Sequence, residues 1–173
     1  MKVLICDPID EKAIAKLREA GLSVTVKTGM SEAELAEELG KGYDAIVVRS
    51  ATKVRKAAID AAKGLRLIIR AGVGLDNIDA DYAKEKGIEV LNTPKASTDS
   101  VAELALAHMF ALARSLVRAT ETMREGKWEK KAFHGIELQG KTLGVIGIGR
   151  IGQAVARRAL CLGMKVIAYD KFV

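Results

Sequence analysis

Aromatic side chains make up only 4% of the chain, and long apolar runs are missing altogether. Scarce aromatics argue against an aromatic-rich β-sandwich and leave no stacking platforms for single-stranded nucleic acid. No stretch approaches the roughly 18 apolar residues of a membrane span. "MKVLIC" is too short an apolar segment before Asp7 to read as a signal peptide. A cytoplasmic protein without a membrane partner is therefore expected. Cys6 and Cys161, the only cysteines, lie far apart, each in an apolar run. That spacing provides neither a disulfide framework nor a metal site, and both are expected as small buried thiols in a reducing compartment.

Charge of one sign is not clustered either. The net charge is +6, yet "EKAIAKLREA", "SEAELAEELG" and "MREGKWEKK" mix both signs at helical spacing, as solvated helix faces do. No nucleic-acid partner is expected, and an anionic small molecule suits the excess of basic residues better.

What the chain does have is alternation. Short aliphatic runs, "KVLIC", "LSVTV", "YDAIVVRS", "LRLIIRAG" and "GIEVLN", are separated by amphipathic helical stretches. That order predicts a parallel sheet covered on both faces, an α/β protein. Ser31 with Glu34 has the form of a capping box, and Gly21, Gly40, Gly64 and Gly87 stand where helices should end.

Pro94 interrupts the pattern, and a helical stretch from about Thr98 to Glu125 follows, which as one helix would span about 40 Å. Its first half, "VAELALAHMFALA", is apolar nearly all round, so burial between elements is expected, with His108 a packed or interface residue. "GKWEKKAFHGIELQGK" reads as an exposed irregular connector, with His134 at its surface. The expected organisation is a first lobe over 1–93, a bridging helix and connector over 94–139, and a strand-helix-strand unit over 140–173.

Gly147, Gly149 and Gly152 form G-x-G-x-x-G between the strand-like "TLGVI" and the helical "RIGQAVARRALCLG". A second strand, "KVIAY", ends at Asp170. In such a turn the first glycine allows the tight bend, the second lets pyrophosphate approach the backbone, and the third lets the helix pack on the strand. The helix N-terminus offers amides and partial positive charge to phosphates. Asp170 can accept hydrogen bonds from both ribose hydroxyls and would repel a 2′-phosphate, so NAD is expected over NADP.

With that turn located, further segments become recognisable: "VVRSATKV", "RAGVGLDNID", "VLNTP", "SVAELALAHMFALAR", "MREGKWEKKAFHGIELQGKTLGVIGIGRIG" and "AYD". Together they make the whole chain resemble the NAD-dependent D-2-hydroxyacid dehydrogenases, and "RSATKV" with "RAGVGLDNID" points to the phosphoglycerate branch. The resemblance implies a flavodoxin-like substrate lobe, a long bridging helix and the first βαβ unit of a Rossmann lobe, with the active site between the lobes. It implies that Arg49, Ser50, Arg70, Gly72, Val73, Gly74 and Asn92 approach an anionic substrate such as 3-phosphoglycerate. Val73 would also meet the cofactor, with Gly147, Gly149, Arg150, Ile151, Gly152 and Asp170. Where many relatives carry Asn five residues after the position of Asn92, this chain has Ser97, which puts one substrate contact in doubt.

The family's catalytic Arg, Glu and His match nothing in this chain, and neither histidine sits at a matching position. The expectation is the N-terminal part of a longer enzyme that oxidises 3-phosphoglycerate with NAD, inactive alone, weak in NAD binding, and a homodimer or larger through the bridging helix. A short binding or regulatory module of the same fold is one alternative. A hydroxypyruvate or glyoxylate reductase of the same family is the other.

Overall fold

A computed structural model describes residues 1–172. The chain divides into two compact units, one over Met1–Pro94 and one from Lys95 onward.

In the first unit five parallel strands, β1 (Lys2–Ile5), β2 (Ser23–Val26), β3 (Ala45–Val48), β4 (Leu67–Arg70) and β5 (Glu89–Asn92), line up in the order β2-β1-β3-β4-β5. This is the flavodoxin-like order. The aliphatic runs of the sequence are these strands. Their side chains alternate in period two, so each strand feeds two cores. Leu4, Cys6, Ile46, Val48 and Ile68 face one core, closed by Leu35 and Leu39 of α2 (Glu32–Leu39) and by Ala58 and Ile59 of α3 (Lys56–Ala61). Ala83 of α4 (Ala80–Glu85) joins them. Val3, Ile5, Ala45 and Val47 face the other, closed by Ile14 and Leu17 of α1 (Glu11–Glu19). The capping box forms: Ser31 Oγ accepts from the Glu34 N–H, and Glu34 Oε2 accepts from the Ser31 N–H.

In the second unit the long apolar stretch is two helices rather than one. α5 (Thr98–Ala113) and α6 (Leu116–Arg124) meet at 64°. Ser115 between them adopts a left-handed conformation at φ 50°. The break frees the Ala113 carbonyl, which accepts from the Ile136 N–H and so ties the connector back to the helix end. Burial of the apolar half is also not observed within the unit. Ala102 and Ala113 are buried, but Val101, Leu104, Phe110 and Leu112 are exposed, and so is His108. The physical reason is that one helix, α7 (Arg150–Cys161), packs on α5, with Arg158 paired to Asp99. His134 is on the surface. β6 (Thr142–Ile146) and β7 (Lys165–Tyr169) form a parallel pair joined through α7. Cys6 is buried as expected, its thiol pushed up to about 12 chiefly by desolvation, whereas Cys161 is exposed on α7, contrary to expectation. No single helix among the described residues is long and apolar enough to cross a membrane.

Candidate functional site

Residues expected to approach substrate gather at the carboxyl edge of the five-stranded sheet. The register sets Val48 beside Arg70 and Arg70 beside Asn92, with Arg49 and Ser50 directly after Val48. In open parallel sheets ligands bind at this edge. Arg70 is the most telling of them. Its guanidinium folds over Gly72, where an added Cβ would lie only 2.3 Å from Nη1. Its Nε is buried without a hydrogen-bond partner. A buried guanidinium Nε with no acceptor is unfavourable unless an anion supplies one.

Of the "AGVG" amides, that of Ala71 donates to the Val48 carbonyl and that of Gly72 to the Arg70 carbonyl. Both are therefore committed to the fold, and the amides of Val73 and Gly74 are left for a ligand. Asn92 braces the same loop, its Nδ2 donating to the Val73 carbonyl at 2.6 Å. Arg49 and Ser50 are exposed, and Arg49 Nη1 donates to the Pro8 carbonyl at 3.3 Å.

Thr52 and Asn77 lie within "RSATKV" and "RAGVGLDNID" and Asp7 follows β1, but no sequence pattern assigns these three a role; Asp7 and Asn77 hold the Arg49–Thr52 loop from the end of β1 and from the segment before α4. Their partners lie 25 to 46 residues away along the chain. Only the register of β1 and β3 brings Asp7 and this loop together.

In the second unit the three glycines of the turn meet three different requirements. Gly147 sits at φ 90°, a conformation that side chains disfavour. A Cβ on Gly152 would come within 2.0 Å of the Gly147 carbonyl oxygen, so this position admits nothing larger. Gly149 is different: a Cβ there would meet nothing within 4 Å. Neither local packing nor positive φ demands glycine at 149, and the open space over it is room a pyrophosphate would occupy. Gly149 also caps α7 without a side-chain hydrogen bond, and the first turn holds no acidic residue. The first-turn amides of Arg150, Ile151 and Gly152 have no intrahelical partner, as at any helix start.

Asp170 closes this arrangement. Its Oδ1 accepts from the Phe172 N–H at 2.9 Å and its Oδ2 from the Ile148 N–H inside the glycine turn at 2.7 Å. These two bonds, the first the stronger influence, hold its carboxyl below the ordinary carboxylate range. A carboxylate has about four acceptor positions, so two remain for ribose hydroxyls. The residues present fit a dinucleotide. Ser97, at the start of α5, makes no capping hydrogen bond with its side chain. Among the described residues no group of His, Cys, Asp and Glu is placed to hold a metal.

A five-stranded parallel sheet in flavodoxin-like order, and a βαβ unit opened by a glycine-rich turn, define a doubly wound α/β protein of the nucleotide-binding kind. The family model for "D-isomer specific 2-hydroxyacid dehydrogenase, catalytic domain" matches residues 3–165, and the chain belongs to that family of oxidoreductases. It is 56% identical over 173 residues to the D-3-phosphoglycerate dehydrogenase of Archaeoglobus fulgidus, covering 100% of this chain and 33% of that protein. It is 54% identical over 169 residues to the hydroxypyruvate reductase of Thermotoga maritima, covering 98% of this chain and 55% of that one. The solved NAD⁺-bound 3-phosphoglycerate dehydrogenase of Entamoeba histolytica superposes with a TM-score of 0.80 at 32% identity, over 100% of this chain and 55% of that one. The chain spans about a third of the length of the phosphoglycerate dehydrogenases it matches.

Proposed function

We propose that the whole protein is an NAD-dependent D-3-phosphoglycerate dehydrogenase of the cytoplasm, oxidising 3-phosphoglycerate to 3-phosphohydroxypyruvate in serine biosynthesis. The observation that carries this reading is Arg70, an unpaired guanidinium at the carboxyl edge of the sheet, with Arg49 on the neighbouring strand end. Two cations suit a substrate with both a carboxylate and a phosphate. Residues 1–93 form the substrate lobe, where Arg49, Ser50, Arg70, Asn92 and the loop over Gly72, Val73 and Gly74 contact the anion. Residues 94–139 bridge to the nucleotide lobe begun by 140–173.

The dinucleotide, when bound, supplies the hydride acceptor. Gly147, Gly149, Gly152 and the first-turn amides of Arg150 and Ile151 receive its pyrophosphate, and Val73 contributes a further contact. Asp170 receives the ribose and disfavours a 2′-phosphate by charge, which favours NAD. Oxidising a secondary alcohol also needs a base for the hydroxyl proton. By resemblance to the family that base is a His with a partner Glu, which match neither His108 nor His134 nor any other residue of this chain, so the chain alone is expected to be inactive. The exposed Leu112, Leu116, Val117 and Trp128 of the second unit support a homodimer through that unit.

A hydroxypyruvate reductase is the second reading, favoured by the nearly equal identity to the Thermotoga protein. Steady-state kinetics of the whole protein with 3-phosphoglycerate and NAD, and with hydroxypyruvate or glyoxylate and NADH, separates the two. Our reading expects kcat/KM for the phosphorylated substrate to exceed that for the others by about two orders of magnitude, the value of a charge-assisted anion contact. Equal or reversed preference supports the reductase. Sedimentation of the chain as a monomer at micromolar concentration would contradict the dimer.

A further inference from the structure

The Arg49–Thr52 loop is gripped on both sides of its backbone by side chains remote in sequence. Asp7, directly after β1 and only 3% exposed, turns its carboxylate under the loop. Its Oδ2 accepts from the Arg49 N–H at 2.5 Å and from the Thr52 N–H at 3.3 Å, while Oδ1 accepts from the Thr52 hydroxyl at 2.9 Å. Asn77, 5% exposed, approaches from the segment before α4. Its Nδ2 donates to the Arg49 carbonyl at 2.8 Å and to the Thr52 carbonyl at 2.7 Å, which uses both amide hydrogens. The main chain repeats the tie: the Val54 N–H donates to the Asn77 carbonyl, and the Asp79 N–H to the Val54 carbonyl.

Arg49 is thus fixed at its N–H and at its C=O, while its side chain stays exposed. A buried carboxylate answered by backbone and hydroxyl donors, with no cation paired to it, is an expensive way to pack a strand end. Apolar residues would fill the same space more cheaply. What the polar arrangement adds is a single path for the loop and a fixed origin for the Arg49 side chain.

We propose that Asp7, Thr52 and Asn77 are positioning residues that fix the Arg49–Ser50 loop in the geometry that binds the substrate anion. They touch no substrate themselves. The inference rests on the reading of Arg49 as an anion contact, and the test separates the two.

The test is a ¹⁵N NMR titration of the 173-residue chain with 3-phosphoglycerate, and separately with inorganic phosphate, for the wild type, Arg49→Ala, Asn77→Ala and Thr52→Val. In the wild type the anion should shift the Arg49, Ser50, Val73 and Gly74 amides, and Arg49→Ala should remove the response at the loop. Asn77→Ala and Thr52→Val should each weaken binding about tenfold, the effect of releasing one or two hydrogen bonds. They should also speed amide exchange at Arg49 and Thr52, with the amides of β1, β3 and β4 unshifted. Should Asn77→Ala fail to fold, the near-isosteric Thr52→Val carries the test. Wild-type affinity in the folded variants, with only the melting temperature lowered, makes the residues structural and overturns the proposal while leaving the anion site standing. No response in the wild type, or a response that survives Arg49→Ala, overturns the anion reading and the positioning role with it.

Discussion

In the first unit Leu4, Ile5, Ile46 and Ile68 are fully buried, whereas in the second the strand residues Ile146 and Ile167 are 90% and 64% exposed. One sheet has five strands with helices on both faces, and the other has two strands and a single crossover helix. The residues the second unit does bury are chiefly alanines, Ala102, Ala113, Ala154, Ala156 and Ala159, which let helices approach closely but remove little apolar area from water. Each half of the proposed chemistry draws its rigidity from a different source. The anion-binding edge stands on a unit that closes its own core, while the glycine turn stands on one whose geometry depends on local fit.

The largest expected effects come from core truncation. Ile68→Ala should destabilise the first unit by about 2–5 kcal/mol, while Ile146→Ala in the second should change stability by less than about 0.5 kcal/mol. Urea unfolding of the 173-residue chain reads both, and comparable losses would erase the contrast between the units.

Within the second unit the glycine turn offers a sharper version of the same comparison. Gly152→Val drives a side chain into the Gly147 carbonyl and should cost about 3 kcal/mol. Gly149→Ala enters open space and should leave thermal unfolding within about 0.5 kcal/mol of the wild type. It should nonetheless raise the KM for NAD in the whole protein. If Gly149→Ala melts the unit and Gly152→Val does not, the assignment of the two glycines is reversed.

A smaller, pH-dependent effect belongs to the first unit. Glu38 is buried and holds its carboxyl down at about 2, first through the hydrogen bond from Lys27, then through those from Lys41 and Tyr43. Its folded value lies below the ordinary 4.5, so its contribution is fully present above about pH 4.5 and is lost as pH falls towards 2. Acid titration followed by circular dichroism should show Glu38→Gln flattening stability between those limits. An unchanged acid limb would remove Glu38 from the account.

Much of this was legible in the sequence, because local patterns carried it. The strands followed from aliphatic runs, the first turn of α2 from Ser31 and Glu34, and the βαβ unit from three glycines and Asp170. What was not legible depends on contacts far apart along the chain. Asp7 meets Arg49 across 42 residues, and nothing near either residue announces the other. The break between α5 and α6 falls at Ser115, with no glycine or proline to mark it. The tie that accompanies it, the Ile136 N–H on the Ala113 carbonyl, spans 23 residues. The exposure of Leu112, Leu104 and Cys161 escaped for a related reason: composition says that a helix is apolar, not whether anything within its own unit covers it.

Arg70 is kept for a ligand rather than for the fold, and Arg70→Met separates the two roles. Removing a half-buried cation whose Nε is buried without an acceptor should leave the melting temperature of the chain unchanged or raised. In the whole protein the same change should raise KM for 3-phosphoglycerate by about 100-fold, the loss of a charge-assisted anion contact. A lowered melting temperature with an unchanged KM would contradict the account.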